Sequence, residues 1–390
     1  YVFAFEKRIK KCLHPKLAKG GVLNIPNYIT HNGRTLTVIR IGEGSFRWSD
    51  VKKVNIGDKI LQISEDAFSW CEKLTSVYAP SIKEIGPWAF QHCCKLTNVN
   101  FGSGLELIGE HAFWSCDELT SIYAPSVVEI CSSAFDGCKK LSEVVLGPVL
   151  ETIGNHVFAH CESLNEINIP DNLKKFGEYC FAESGLRSFN LHKVANVDGQ
   201  NTLPILSKRL FQGCKNLTKV EGLNDLSELP DEIFSKCSKL EINDILASEN
   251  LRIIGAGALA DCKFPEEIII KPTIKEIGKG AFGGFQGKFN VLDSDEILEV
   301  DRPFDETHIK SCRLGRDLSS WDFSFPPELE ELIVGPLVTA VVPPVAKSPG
   351  DPHYVGTTYG GFPFLSCFNL KTVIIEPSSN VLEISGVGER

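Results

Sequence analysis

The sequence LTSVYAPSIKEIGPWAFQHC, residues 74–93, decides the fold because close variants of it recur along the chain. Each copy carries a marker phenylalanine, usually a cysteine three residues later, and then the leucine that begins the next copy. The first seven markers are 22 or 23 residues apart: Phe46, Phe68, Phe90, Phe113, Phe135, Phe158 and Phe181. The series continues through Phe211, Phe234, Leu259, Phe282 and Phe364. A fixed period of this length indicates an array of repeats rather than two or three globular domains.

The residues inside one period predict the structure of each coil. Leu74 and Val77 have the spacing of a short strand with one buried face, and Pro80 ends that strand because proline cannot donate to a continuing ladder. Gly86 permits a tight turn, and Phe90 lies in what we expect to be a short helical or 3₁₀ turn. The period lies in the range of leucine-rich repeats. The predicted fold class is an α/β solenoid, with a parallel sheet on the concave face and short helical or 3₁₀ turns opposite.

Composition and charge exclude several classes of protein. Hydrophobic residues make up 43% of the 390 residues and charged residues 23%, which is ordinary for a folded chain. No run approaches the ~18 apolar residues of a membrane span, so we expect no transmembrane segment. The net charge is −10 without a long basic cluster, which argues against a nucleic-acid partner. Because the sequence begins at Tyr1 and has no methionine, we expect that any signal peptide has been removed.

The recurring phrase resembles the BspA-type leucine-rich repeat family: leucine, a short strand, isoleucine–glycine, alanine–phenylalanine, cysteine and the next leucine. The resemblance covers residues 21–285 and 364–386, and the entry segment VLNIP at residues 22–26 shares it. It implies a secreted or surface-anchored protein, of a kind common in anaerobic bacteria, that acts in adhesion or protein interaction. It implies no catalytic residues.

Departures from the phrase predict the domain organisation. Residues 1–20 are expected to form an N-terminal cap, residues 21–285 the regular repeats, and residues 286–390 degenerate repeats. About seven extra residues are inserted within 194–207, where two markers are 30 residues apart. Residues 343–361 are rich in Pro and Gly and read as a long loop, which is usually functional or mobile in a compact array. A final repeat follows at 364–386.

The 14 cysteines do not have the distribution of a disulfide framework. Eight of them occupy the same position, three residues after a marker: Cys71, Cys93, Cys116, Cys138, Cys161, Cys214, Cys237 and Cys367. Neighbours in such a column are ~4.8 Å apart with parallel side chains, which suits small buried thiols better than disulfides. The nearest candidate for a metal site is His92 with Cys94, too few ligands for zinc. We therefore predict free thiols, no metal and no cofactor.

Two surfaces are candidates for binding. In each predicted strand the residues beside the central Val or Ile point outward, and this column is rich in Tyr and Asn, which are adaptable in recognition. Its candidate residues are Tyr78, Asn100, Tyr123 and Asn168. The second surface is an aromatic column two residues after the marker, where Trp48 and Trp70 precede His92. Both sets could equally be ordinary surface residues, with the tryptophans packed flat on their own coils.

These observations favour a non-enzymatic binding or adhesion protein at the cell surface, with a protein or glycan ligand. One alternative is a carbohydrate-recognition or scaffold component, which requires aromatic side chains clustered around Tyr78 and Tyr123. The other is an enzyme hidden in residues 286–361, using Asp293, Asp295, Asp301 and His308. No catalytic motif supports the enzyme.

Overall fold

The computed structural model describes residues 18–191, 194–195, 201–202, 204–319, 324–339 and 367–377. The predicted loop 343–361, nearly all of the cap and most of the final repeat lie outside the described residues. The chain forms two compact units, Tyr1–Gly222 and Leu223–Arg390. Both are built from coils that contain a longer strand, a shorter strand and a turn around the marker residue.

The longer strands of the first unit align in register with their neighbours. Tyr78, for example, pairs with Asn100 of the next coil and with Asn55 of the previous one. Four parallel strands form one sheet, to which Ala18–Lys19 adds an antiparallel edge: Val22–Ile25, Lys53–Ile56, Ser76–Tyr78 and Asn98–Asn100. Two parallel pairs follow: Ser121–Ala124 with Glu143–Leu146, and Ser188–Asn190 with Lys219–Glu221. This confirms that the repeat phrase builds stacked parallel strands.

The shorter strands of the first unit form a second parallel sheet of seven members. Each consists of two residues at the isoleucine–glycine position: Arg40–Ile41, Gln62–Ile63, Glu84–Ile85, Leu107–Ile108, Glu129–Ile130, Thr152–Ile153 and Lys175–Phe176. Two antiparallel pairs leave this pattern. They are Tyr28–His31 with Arg34–Thr37, and, inside the predicted insertion, Val194–Ala195 with Asn201–Thr202.

The predicted helical turns are not found around the markers. Within the described residues, helix is limited to the α-helix Asn243–Leu246 and the 3₁₀ helix Leu223–Asp225. Instead, alternate amides of each turn donate to the next coil: the N–H of Phe68 bonds the carbonyl of Ala89 at 2.8 Å, and that of Trp70 bonds Gln91 at 2.8 Å. An amide directed at a neighbouring coil cannot also bond a carbonyl four residues back, so this ladder replaces the helix.

The marker phenylalanines form the core of the first unit. Phe68, Phe90 and Phe113 are fully buried. Their rings stack nearly parallel from coil to coil, with centroids 5.4 Å apart between Phe68 and Phe90 and 5.2 Å between Phe90 and Phe113. The stack extends from Phe46 to Phe211. Offset stacking of this kind adds to the stabilisation that burial of each ring provides.

The second unit repeats this architecture with two five-stranded parallel sheets. The longer strands are Glu267–Ile270, Lys288–Val291, Ser311–Leu314, Glu331–Val334 and Thr372–Ile375. The shorter strands are Glu228–Leu229, Ile253–Ile254, Glu276–Ile277, Leu298–Val300 and Leu318–Ser319. Phe304, which the sequence reading passed over, occupies a marker position and stacks on Phe325 at 5.6 Å. Regular coils thus extend into residues 287–319 and 324–339.

Arg316 is an exception among the buried residues of the second unit because it is charged and fully buried. Its guanidinium donates to the carbonyl oxygens of Lys271 at 3.1 Å, Pro272 at 3.3 Å and Ile274 at 2.8 Å. Burial lowers the pKa of Arg316 to about 10, so it remains cationic at neutral pH.

The part of the chain that the structure describes contains no helix with the length and apolar character needed to span a bilayer.

Candidate functional site

The outward column of the longer strands contains the predicted tyrosines. Tyr78 and Tyr123 are 51% and 56% exposed, and neither hydroxyl makes a hydrogen bond to the described residues. Both side chains follow a buried neighbour, Val77 or Ile122, because successive residues of a strand face opposite sides. The two rings are therefore available to a ligand, and they lie two coils apart with Asn100 between them.

The asparagines of this column differ in how they are held. Asn55 donates to the side-chain oxygen of Asn24 in the previous coil at 2.8 Å. Asn100 is exposed, and its side-chain oxygen accepts the amide of Gly102 at 3.0 Å. Asn100 thus keeps its amide nitrogen as an outward donor beside Tyr78.

Asn168 is exposed, but it does not lie in a strand as predicted. Residues 165–170 are not assigned to any strand, and the strand Glu143–Leu146 pairs only with Ser121–Ala124 among the described residues. Regular ladder pairing is lost beyond Glu143–Leu146, so the column that continues from Tyr123 does not reach Asn168 as a continuous sheet.

The predicted aromatic column lies on the turns. Trp48 is 68% exposed, and the guanidinium of Arg47 lies 4.5 Å from the centroid of its ring. Trp70 is 37% exposed, and its ring contacts that of His92 with centroids 4.0 Å apart. Trp48 thus contacts a cation of its own coil, whereas Trp70 contacts the imidazole of the next coil.

Further rings extend this aromatic surface. His92 contacts Trp114 at 4.7 Å, Trp114 contacts His111 at 5.7 Å, and His111 contacts Trp88 at 5.9 Å. Burial lowers the pKa of His92, while the carboxylates of Asp117 and Glu72 act in the opposite direction. The sequence analysis placed Trp48, Trp70 and His92 in this column. Trp88 and His111 lie two residues before their markers, and Trp114 lies one residue after its marker.

The backbone explains why both positions display side chains. Residues two before and two after a marker have positive φ, as at Trp88 (53°) and His92 (55°) around Phe90. Glycine occupies the same positions in other coils, at Gly44, Gly257 and Gly280 before the marker and Gly137, Gly213 and Gly284 after it. Alternation with glycine is the sequence signal that marks these two positions.

The cysteine column lies in the core and not at a chemical site. Cys93 and Cys116 are fully buried, and burial raises the pKa of each thiol well above its usual value. The Cys93 Sγ donates to the carbonyl of Phe68 at 3.2 Å, and Cys116 repeats this contact with Phe90. None of the cysteines in the described part of the chain forms a disulfide. Serine fills the column at Ser49, where its hydroxyl lies 3.3 Å from Cys71.

Three of the four residues considered for a hidden enzyme make separate polar contacts. Asp293 contacts Arg313 at 2.8 Å, and His308 contacts Glu328 at 3.2 Å. Arg313 also binds Glu376 at 2.7 Å and so ties the strand Thr372–Ile375 to its neighbours. Asp301 contacts Arg302 at 3.5 Å, and Asp295 is exposed. Within the described ranges, no three His, Cys, Asp or Glu side chains converge on a possible metal position.

Taken together, the stacked coils define a β-solenoid repeat protein. The sequence profile of the BspA type leucine rich repeat region matches residues 39–147, 124–197 and 187–293 in six copies. These matches cover more than half of the chain, so the chain belongs to this family. No curated protein matches the chain significantly.

Solved structures of bacterial proteins are similar in fold. The pneumococcal vaccine antigen PcpA aligns with a TM-score of 0.54 at 18% identity, over 91% of this chain and 89% of that one. A leucine-rich repeat protein from Bacteroides ovatus aligns with a TM-score of 0.48 at 22% identity, over 80% of this chain and 86% of that one. A leucine rich cell surface protein from Faecalibacterium prausnitzii aligns with a TM-score of 0.44 at 18% identity, over 92% of this chain and 88% of that one. At these identities the likeness concerns the fold alone.

Proposed function

We propose that this chain is a non-enzymatic binding or adhesion protein of the cell surface or extracellular space, and that it recognises a protein through the outward column of its longer strands. Membership of the BspA-type family supports a repeat-based binding role. The observation that carries the proposal is the pair of exposed tyrosines, Tyr78 and Tyr123.

Their geometry fits an extended partner. The two rings lie two coils apart, in strands of separate sheets, and at one strand step per coil this corresponds to roughly 10 Å. Asn100, in the coil between them, offers an amide donor. Tyrosine provides a large contact area at low entropic cost, and asparagine provides adaptable hydrogen bonds. Asn168 is retained as a peripheral contact because it is exposed, although it lies outside the regular sheet.

The test is a binding screen against purified extracellular-matrix proteins and an array of glycans. We expect at least one protein to bind, and the double variant Tyr78→Ala/Tyr123→Ala to weaken it at least tenfold with the melting temperature unchanged. Tyr28→Ala is the matched control, because Tyr28 is a similarly exposed tyrosine (53%) on the hairpin Tyr28–His31 with Arg34–Thr37.

Two outcomes would redirect the assignment. Binding that survives the double variant but is lost on deletion of residues 343–361 would place the site in that loop. Binding of glycans alone, again lost in the double variant, would favour the carbohydrate-recognition alternative.

A further inference from the structure

A second surface, distinct from the outward strand column, lies on the turns of the first unit. We call it the turn-face aromatic band. Its members come from four consecutive coils: Trp48, Trp70, Trp88, His92, His111 and Trp114. Ring contacts of 4.0 to 5.9 Å join five of them into a continuous series from Trp70 to Trp88. The band contains four of the five tryptophans of the chain.

Five of the six rings, all except Trp114, occupy positions of positive φ, where the backbone favours glycine. Trp48, Trp70 and Trp88 have φ of 58°, 60° and 53°, a region that bulky side chains rarely adopt. Each such residue costs roughly 1–2 kcal/mol relative to glycine. Other coils place Gly137 and Gly213 at the position of Trp48 and Trp70, and Gly257 and Gly280 at the position of Trp88. Among the described residues, tryptophan has a positive φ only in these coils, whereas smaller rings such as His156 and Tyr179 have it in later ones.

The turns that carry the band are acidic. Residues 42–50, 64–73, 86–95 and 109–118 hold eight carboxylates against three Lys or Arg side chains. Several of the carboxylates are already paired, as Asp66 is with Arg47 at 3.0 Å. Glu72 and Glu110 have no Lys or Arg partner among the described residues, and Glu110 lies 3.5 Å from His111 inside the band.

The chain itself shows which chemistry these rings accept. Arg47 lies over the ring of Trp48 at 4.5 Å. Farther along the same turns, Arg209 lies over Tyr179 at 5.2 Å. A guanidinium over an aromatic face is attracted by the ring quadrupole. Because burial lowers the pKa of His92, the imidazole between Trp70 and Trp114 is uncharged at neutral pH and does not repel an incoming cation.

We propose that the turn-face aromatic band is a docking surface for a basic polypeptide segment, whose arginine and lysine side chains lie against Trp48 and Trp70 while Glu72 and Glu110 pair with their charges. This interaction is separate from the proposed recognition by Tyr78 and Tyr123. It uses another side of the coil, and it has an electrostatic component that the strand column does not require.

The probe is a synthetic peptide in which arginine alternates with glycine, titrated into the intact chain while tryptophan emission is recorded. The same peptide with glutamate in place of arginine is the control ligand, and a neutral oligosaccharide is a third. We expect the arginine peptide to change the emission saturably and the glutamate peptide to have no effect. Added salt should weaken the interaction, because screening acts on exposed charges.

Two sets of variants locate the site. Trp70→Gly removes a ring but installs the residue that other coils use at this position, so the fold is retained. It should weaken binding of the arginine peptide about threefold to tenfold, the range expected for one cation–π contact. The double variant Glu72→Gln/Glu110→Gln should weaken peptide binding similarly and reduce its salt dependence. Tyr78→Ala, on the strand column, should leave this affinity unchanged.

Each outcome decides the proposal. The proposal would be overturned if the arginine peptide caused no change in emission. It would also be overturned if the Trp70→Gly variant and the Glu72→Gln/Glu110→Gln variant bound the peptide as tightly as the parent chain does. A response to the oligosaccharide alone would overturn it too, and would assign the band to a glycan. Loss of peptide binding in Trp70→Gly with normal partner binding by the strand column would show that the two surfaces act independently.

Discussion

At the scale of single residues, the repeat depends on a phenylalanine and a thiol that act together. The ring of Phe113 packs between Phe90 and Phe135 at 5.2 Å on either side. The carbonyl of the same residue accepts the Sγ of Cys138 at 3.2 Å. The marker thus provides the apolar core through its side chain and the acceptor for the cysteine column through its backbone. A cysteine three residues after its own marker, as Cys138 is after Phe135, can therefore reach the carbonyl of the preceding marker.

Phe113→Ala should lower the free energy of unfolding by roughly 3–5 kcal/mol, because it leaves a cavity between two stacked rings. Coils of a solenoid contact only their neighbours, so protection should be lost first in the coils of Phe90 and Phe135. Urea denaturation measures the cost, and hydrogen exchange locates it. Tyr123→Ala is the control, since that side chain is exposed. Exchange that rises equally throughout residues 18–191 would contradict a nearest-neighbour core.

At the scale of elements, most of the longer strands could be predicted from sequence, whereas the shorter strands and the turns could not. The strand Ser76–Tyr78 is bounded by Leu74 and Pro80, so its position follows from burial and from the missing donor of proline. The turn around Phe90 was expected to be a short helical or 3₁₀ turn. Its actual conformation depends on carbonyls of the next coil, such as that of Ala112, which accepts the Phe90 amide at 2.8 Å.

The candidate sites divide in the same way. Tyr78 and Tyr123 could be placed outward from the alternation of a strand alone, because the period of two is local. Trp88 could not, because an L-residue with a bulky side chain is not expected at positive φ. The continuous ring series from Trp70 to Trp88 is therefore a consequence of the inter-coil ladder and becomes visible only with it.

Substitution by glycine should stabilise the protein at positions of positive φ and destabilise it at neighbouring positions. Lys236 is exposed and has a φ of 63°, so Lys236→Gly should raise the free energy of unfolding by about 1 kcal/mol. Ser238 is also exposed but is not left-handed, so Ser238→Gly on the same turn should lower it by roughly 0.5–1 kcal/mol. Chemical denaturation of the two variants measures both effects. Two variants that shift stability in the same direction would show that the turn is not strained as described.

At the scale of the whole molecule, the same buried thiol recurs in most coils of the chain. Burial raises the pKa of Cys214 in the first unit and of Cys262 in the second to about 12, from an ordinary value of 9.0. Other column thiols, including Cys93 and Cys138, shift in the same direction. The stability of both units should therefore share one dependence on alkaline pH.

The sign of that dependence follows from proton linkage. Below pH 9 the thiols are protonated in both the folded and the unfolded chain, and their contribution is fully present. Between about pH 9 and about pH 12 the unfolded chain releases protons that the folded chain retains, so the free energy of unfolding falls by up to about 1.4 kcal/mol per pH unit for each thiol. Denaturation at successive pH values in this window should show the fall. Cys214→Ser should make it shallower, because a serine hydroxyl does not release its proton in this range. The substitution should be tolerated, because Ser49 and Ser184 already occupy the same column. Every other ionisable side chain is common to the two proteins, so the difference between the two curves isolates the thiol. Parallel curves for the parent chain and Cys214→Ser would mean that the buried thiol does not carry the linkage.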